Sequence, residues 1–509
     1  MLIVSLLLTA NLLPITDSYA DSGSWQQLQG VADADPGIMF LLLDGTVLVQ
    51  DQGINNSGSE RWWILTPDSK GNYADGTWSR TGAMPTGYKP LYASSGVLPD
   101  GRVIVEGGEV NGSSTWVGEN LGAIYDPVAK TWSAVSPPNQ GRGTFVSIAD
   151  GPSVILANGQ FMFGPAGNGD AGELGQTKQA ILNPSNLSWS VTGKGMSGAN
   201  PEAGYTLLPN NKILMIDTPV HSGKKTEIFN PISGVWSSAG VTPKSLLDPS
   251  TAAGEAVAEI GPAIVMPSGV VFAEGSNQHT AIYNYKTNSW ATGPDFPSVN
   301  GKQMHADDAG SAILQNGNVL FDASPVTNGK FAPPVSFFIF DGKKVQSIQP
   351  PSDQSQIQSN FPYFLSLPNG QILVNERMGS QNMYVYNSQG EAAASWVPQI
   401  ESVPTNLVNS KVYTLTGKQL SGLTEGSSFG DDCNNQTNYP LIKITNQKSG
   451  TVFYARTLDV NSTSITPGNL ASMTFMLPSN VAGGPSTLQV VASGFTSVPI
   501  DVTISTDFS

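Results

Sequence analysis

Apolar positions in this chain come in short runs that break on a two-residue turn: LLLDGTVLV, VLPDGRVIV, ILANGQFMF, LLPNNKILM, VMPSGVVFA, ILQNGNVLF and LSLPNGQILV. Each phrase predicts a β-hairpin, because Asp-Gly and Asn-Gly supply the positive φ that a tight two-residue connection needs. The second turn residue falls at Gly45, Gly101, Gly159, Asn211, Gly269, Gly317 and Gly370, a mean spacing of about 54 residues. After most copies comes a second phrase, AIYDPVAKTW, AILNPSNLSW, EIFNPISGVW or AIYNYKTNSW, with weaker forms near Trp63 to Trp78, Phe337 to Val345 and Met383 to Trp396. It predicts a third strand, a Pro- or Asn-marked turn and a fourth strand opening on Trp. Seven such units make an all-β fold, a seven-bladed kelch-type β-propeller over residues 21–398.

Trp78, Trp132, Trp189, Trp236 and Trp290 recur at equivalent places, so they are expected to pack between blades rather than to bind a ligand. Trp25, in GSWQQL, carries the fourth-strand phrase without its preceding strands. That placement predicts that it closes the ring by pairing with the last blade. From Gln399 to residue 509 the phrases stop, and alternating runs such as KVYTLTG, YPLIKIT, TVFYART, SMTFML and STLQVVASG predict an immunoglobulin-like β-sandwich.

Composition agrees with many short strands joined by turns: 55 Gly, 36 Pro and 12% charged residues in a chain of 509. The net charge of −15 argues against a nucleic-acid partner, since no run of Lys and Arg is there to neutralise phosphates. Residues 1–20, an apolar run ending in Ser18-Tyr19-Ala20, read as an export signal peptide, with a membrane anchor as the alternative. No other segment is apolar enough to span a bilayer, so the mature chain is expected to be secreted, periplasmic or held at a cell surface. The single cysteine, Cys433, excludes an intramolecular disulfide framework.

The propeller followed by a sandwich resembles the galactose oxidase and glyoxal oxidase family. Phrases such as TPDSKGNYADGTWS, LPDGRVIVEGGE, EGSNQHTAIYN and SSFGDDCNNQTNYPLIKI are similar to a group of secreted bacterial kelch-repeat proteins of unassigned activity. The resemblance to the oxidases implies one copper held by two tyrosines and two histidines, with one tyrosine thioether-linked to a propeller cysteine. The residues depart from that pattern. Where the family places a Tyr-His pair, this chain has Asn360 and Phe361; Tyr363 is followed by Phe364; Cys433 lies outside the propeller, and the C-terminal domain has no histidine. Copper-radical chemistry is therefore not expected, because carboxylates with one imidazole replace its donors poorly.

In a four-strand blade the two-residue turns all lie on one rim of the ring, the turn rim. Links between second and third strands, and between blades, return to the opposite rim. That loop rim carries long polar segments, among them 51–61, 106–122, 164–178 and 322–335, and variable loops on a rigid scaffold are where binding residues tend to sit. Nine or ten residues before each turn residue, at the loop-rim start of the innermost strand, stand Asp35, Asp150, Glu202, Glu259 and the pair Asp307 and Asp308. Two readings are open: each carboxylate ties down backbone amides at a strand start, or together they form a negative collar for a hard cation such as calcium or for hydroxyl-rich or cationic ligands. His305 stands just outside this collar. His279 falls near the same rim and His221 in a loop of blade 4, and no histidine pair has the spacing of a zinc site. The run from Phe429 to Asn438 is oxygen-rich, but turn-forming Asx residues account for it.

No nucleophile elbow, phosphate loop or Ser-His-Asp set is present. The expected function is recognition of a carbohydrate or an extracellular protein at the loop rim, with the sandwich as a spacer or second contact surface. The alternatives are a divergent oxidase or another carbohydrate-active enzyme, and a purely structural role at a cell surface.

Overall fold

The computed structural model describes residues 23–29, 34–53, 56–138, 145–165, 178–192, 204–216, 223–247, 260–327, 330–377, 380–426 and 437–506. Its described residues form strands and turns with no helix, and no helix long and apolar enough to cross a membrane is among them.

Seven four-stranded antiparallel blades follow the repeat. Blade 1 is Pro36–Leu41, Val47–Asp51, Trp62–Thr66 and Thr77–Arg80; blade 2 is Ser94–Val97, Val103–Glu106, Gly122–Asp126 and Thr131–Val135. Blades 3 to 6 begin at Ser153–Ile155, Tyr205–Leu207, Ala263–Val265 and Ser311–Ile313. Blade 7 takes Tyr363–Ser366, Ile372–Asn375 and Met383–Ser388 from its own repeat and its outermost strand, Gly23–Gln27, from the start of the chain. Trp25 pairs there with Tyr386, so the ring closes where the sequence predicted.

The recurring tryptophans lie between blades: Trp132 packs on Trp62 of blade 1 with ring centroids 4.8 Å apart, and the indole N–H groups of the other four bond to the blade before. Trp78 donates to Gln29 O, Trp189 to Ser136 O, Trp236 to Gln179 Oε1 and Trp290 to Thr226 Oγ1. Trp25 does the same at the closure, donating to Gln349 O at 2.8 Å with Phe337 and Tyr386 at centroid distances of 5.2 and 4.8 Å. Since this strand is held only by non-covalent pairing, Trp25→Ala is expected to destabilise the ring by about 2 kcal/mol, read as a lower denaturation midpoint.

The C-terminal strands form a sandwich around their own core of Leu415, Ile442, Ile444, Met473, Phe475, Leu488, Val490 and their neighbours. Val452–Val460 joins the two sheets: its first half pairs with Leu441–Asn446, and after a register shift at Thr457 its second half pairs with Leu470–Met476. This sandwich covers the turn rim. Tyr439 OH bonds Leu41 O, the Thr457 amide donates to Leu43 O at 3.2 Å, Thr463 Oγ1 donates to Leu156 O at 2.7 Å, and Gln315 Nε2 donates to Gly494 O at 3.0 Å. The sandwich also sends Glu425–Gly426 into the ring, where they pair with Ile264 and Val265 of blade 5's innermost strand. The contacts of the sandwich described here fall on the turn rim and the channel.

Candidate functional site

The acids expected to form a collar are placed differently from one another. Asp35 is half-buried beside Asp51, which forms an ion pair with Arg61; burial pushes the Asp35 carboxyl up, Asp51 adds to this and Arg61 opposes it. Asp150, Asp307 and Asp308 are buried within the loop-rim links rather than lining an open mouth, and Asp308 has a φ of 46°. Glu202, Glu259 and His221 lie outside the described residues, as do Cys433 and residues 427–436. His305 is half-buried, and its Nδ1 lies 2.8 Å from Ser276 O; because a carbonyl only accepts, Nδ1 carries the proton. Among the described residues, no group of three or more His, Cys, Asp or Glu side chains could hold a metal ion.

A second polar series lies one strand further out, five residues after each turn residue: Gln50, Glu106, Glu274, Asp322 and Asn375. All are buried at the loop-rim end of second strands. The two amides show what the position does. Gln50 Nε2 donates to Pro90 O in the link to blade 2, and Asn375 Nδ2 donates to Pro36 O and Gly37 O of blade 1 at 3.1 and 2.7 Å.

The acids at this position face the following blade in the same way. Strand alternation puts Glu274 on the face of Phe272, which stacks on Phe340 of blade 6, and puts Glu106 on the face of Ile104, which packs with Phe161 and Phe163 of blade 3. Neither oxygen of Glu106, Glu274 or Asp322 has a hydrogen-bond donor. Burial pushes all three carboxyls well above the ordinary range; Asp322 adds to the shift at Glu274, and the Gly310 amide lies close enough to offset part of it at Asp322. A buried carboxyl without a partner charge is held neutral, and a neutral carboxyl can donate to a carbonyl as an amide does. The fit is close enough to fix a neighbour: a Cβ on Gly122, opposite Glu106, would lie 2.2 Å from its carboxylate oxygen.

At the loop-rim end of blade 7 the fully buried guanidinium of Arg377 is held by Phe361 O, Asn360 O and Tyr363 OH. It lies 4.1 Å from the ring centroid of Tyr363 and 5.3 Å from that of Tyr92, whose hydroxyl accepts from Asn56. Asn360 and Phe361 thus serve through their backbone carbonyls.

Among the described residues of this rim, blade 2 carries an exposed apolar and aromatic cluster. The segment after Glu106 is ordered by its own pairing: Val110–Asn111 pairs with Pro90–Leu91, Trp116 bridges to Val110, and Asn111 Nδ2 donates to Glu119 Oε2 at 2.7 Å. The Ile148 amide donates to Glu119 O, fastening the segment to the link that leads to blade 3. On this base Trp116 is 48% exposed, beside exposed Val117, Leu121 and Val146. Gly118, with φ +58°, lies against the indole, and a Cβ there would come within 2.8 Å of it.

No family model matches this sequence, and no curated protein matches it. Among solved structures, a fungal alcohol oxidase of the AA5 family, in complex with copper, aligns over 95% of this chain and 99% of that one, with a TM-score of 0.52 and 12% identity. The likeness is one of fold. It extends over both the propeller and the sandwich, as the sequence phrases had implied.

A copper ion in that oxidase makes the donors at this mouth worth testing, and the described ones do not fit it. Tyr92 and Tyr363 both stand against the buried cation of Arg377, which repels a second cation. His305 and His279 bond Ser276 O and Asp295 Oδ1 through Nδ1, which leaves Nε2 on each ring, but neither is joined by two further His, Cys, Asp or Glu side chains among the described residues. The side chain that the sandwich carries into the ring is Glu425, pushed up by burial against an opposing Leu207 amide and bonded by Asn438 Nδ2.

Three features were missed by sequence reasoning. The second-strand acids stand at a fixed offset from each turn, a signal available to anyone aligning five residues after the glycine. Trp116 also had a signal, as a tryptophan outside the fourth-strand phrase. Arg377 had none, because a lone arginine after a strand reads as solvated.

Proposed function

We propose that this chain is an exported recognition protein that takes a carbohydrate on the loop rim of its propeller. One observation carries the reading. Unlike the tryptophans that bond between blades, Trp116 presents its ring to solvent from a braced loop, with no hydrogen bond or ring contact holding it among the described residues. An exposed aromatic face suits a pyranose, whose C–H face stacks on the ring. The sandwich contacts the opposite rim rather than the loop rim that carries Trp116.

The test is a glycan array followed by titration calorimetry. Trp116→Ala is expected to weaken the best ligand at least about tenfold, the loss of one stacked ring, without changing the melting temperature. An unchanged affinity, or an array without binding, would contradict the reading.

A second reading, a divergent oxidase of alcohols or aldehydes, draws on the likeness of fold to the fungal enzyme. Peroxide release on adding copper would support it. No copper uptake by the purified chain would end it.

A further inference from the structure

A groove of about 480 Å³ runs along the seam between the turn rim and the sandwich, away from the loop rim. It is lined by Asn158, Asn210, Asn211, Asn230 and Asn461 together with Lys212, and no carboxylate lines it. Its volume lies within the range of sites for small ligands.

The asparagines were set by the fold, and the fold decides which end of each amide faces the groove. Asn210 Oδ1 accepts the Lys212 amide at 3.2 Å, Asn230 Oδ1 the Ile232 amide at 3.0 Å, and Asn461 Oδ1 the Ser472 amide at 2.9 Å. Asn211 Oδ1 accepts Ser464 Oγ at 2.6 Å. The three backbone N–H bonds commit the oxygens of Asn210, Asn230 and Asn461 and leave their NH2 groups without a partner among the described residues, while Asn158 Nδ2 donates to Gln160 Oε1 at 2.7 Å. The walls are fixed: Thr463 Oγ1 bonds Leu156 O at 2.7 Å and Thr466 Oγ1 bonds Pro209 O at 2.6 Å, stapling the sandwich to two propeller turns. Beside the donors stands Ile232, 98% exposed in the turn between the outer strands of blade 4.

We propose that this groove is a second binding site, for an acidic oligosaccharide built of uronate sugars. A surface that offers several side-chain N–H donors and one ammonium, with no carboxylate in its lining, favours ligands rich in acceptors. In a chain of net charge −15, a cationic donor cluster without a nearby acid is the place where a carboxylate is tolerated. Ring hydroxyls take the amide N–H groups, the carboxylate takes Lys212, and Ile232 covers a C–H face of the sugar.

The probe is trigalacturonate, titrated by calorimetry into the full chain, with its methyl ester as the uncharged control. Asn210→Asp with Asn461→Asp keeps each turn-capping oxygen and replaces the donor by a second oxygen, so the fold is retained while the ligand is repelled. The expected results are binding of the free acid, at least about tenfold weaker binding of the ester, about tenfold loss in Lys212→Glu and loss beyond detection in the double variant. Trp116→Ala leaves this binding unchanged, which separates the groove from the loop rim. Equal binding of acid and ester, full binding by the double variant, loss on Trp116→Ala alone, or no binding to the unaltered chain overturns the proposal.

Discussion

Replacing Arg377 by methionine is expected to lower the stability of the propeller by about 4 kcal/mol, the largest loss of any single substitution considered. Methionine retains most of the apolar stem, so the effect isolates the guanidinium. Three groups lose their donor at once: the half-buried carbonyls of Phe361 and Asn360 and the buried hydroxyl of Tyr363. A buried acceptor without a partner costs about 1 to 3 kcal/mol, and the two rings flanking the cation add about 1 to 2 more. Arg377→Lys keeps the charge but cannot reach two carbonyls in one plane, so it is expected to fall between. Urea denaturation of the three proteins measures this, and a methionine variant within 1 kcal/mol of the parent would show the cluster to be structurally idle.

Glu106→Gln, Glu274→Gln and Asp322→Asn are expected to raise stability, and more so as pH increases. Each acid is neutral when folded, whereas in the unfolded chain it ionises at the ordinary carboxyl value of about 4. The folded state then holds more protons than the unfolded state, so stability falls with rising pH, by about 1.4 kcal/mol per pH unit and per acid. The contribution is complete below the unfolded value and is lost as pH climbs toward the raised folded value. An amide of the same shape does not ionise and escapes the loss while keeping the donor that Gln50 and Asn375 use. The single variants should therefore match the parent near pH 4 and exceed it increasingly above that, by up to about 4 kcal/mol near pH 7. Variants less stable than the parent at neutral pH would mean that the acids are ionised and held by a cation.

The architecture was legible because its signal is periodic. Seven Gly- or Asn-bearing turns fix the hairpins, the fourth-strand tryptophans fix the outer edges, and Trp25 pointed to the last blade, where it pairs with Tyr386, 361 residues away. The candidate sites were legible only in part. Asp307 and Asp308 were noticed because acids are conspicuous at an aligned position, yet burial rather than position decides what an acid does, and alignment does not report burial. Glu106 and Glu274 drew no attention in the sequence, and their place is understood from the amides at equivalent positions, which bond to the next blade. Arg377 depends on contacts with the start of its own blade and with Tyr92 before blade 2, which no local pattern encodes. The groove arises between two turns and a sandwich more than 200 residues away in sequence, so its donors meet only in the folded chain.

The central claim, recognition at the loop rim, is tested most directly by hydrogen–deuterium exchange of the full chain with and without its best glycan. The account predicts slower exchange on binding in residues 107–121 and 145–148, around Trp116 and the link that braces it. Protection confined to other parts of the chain, with 107–121 exchanging at the same rate bound and free, would contradict it.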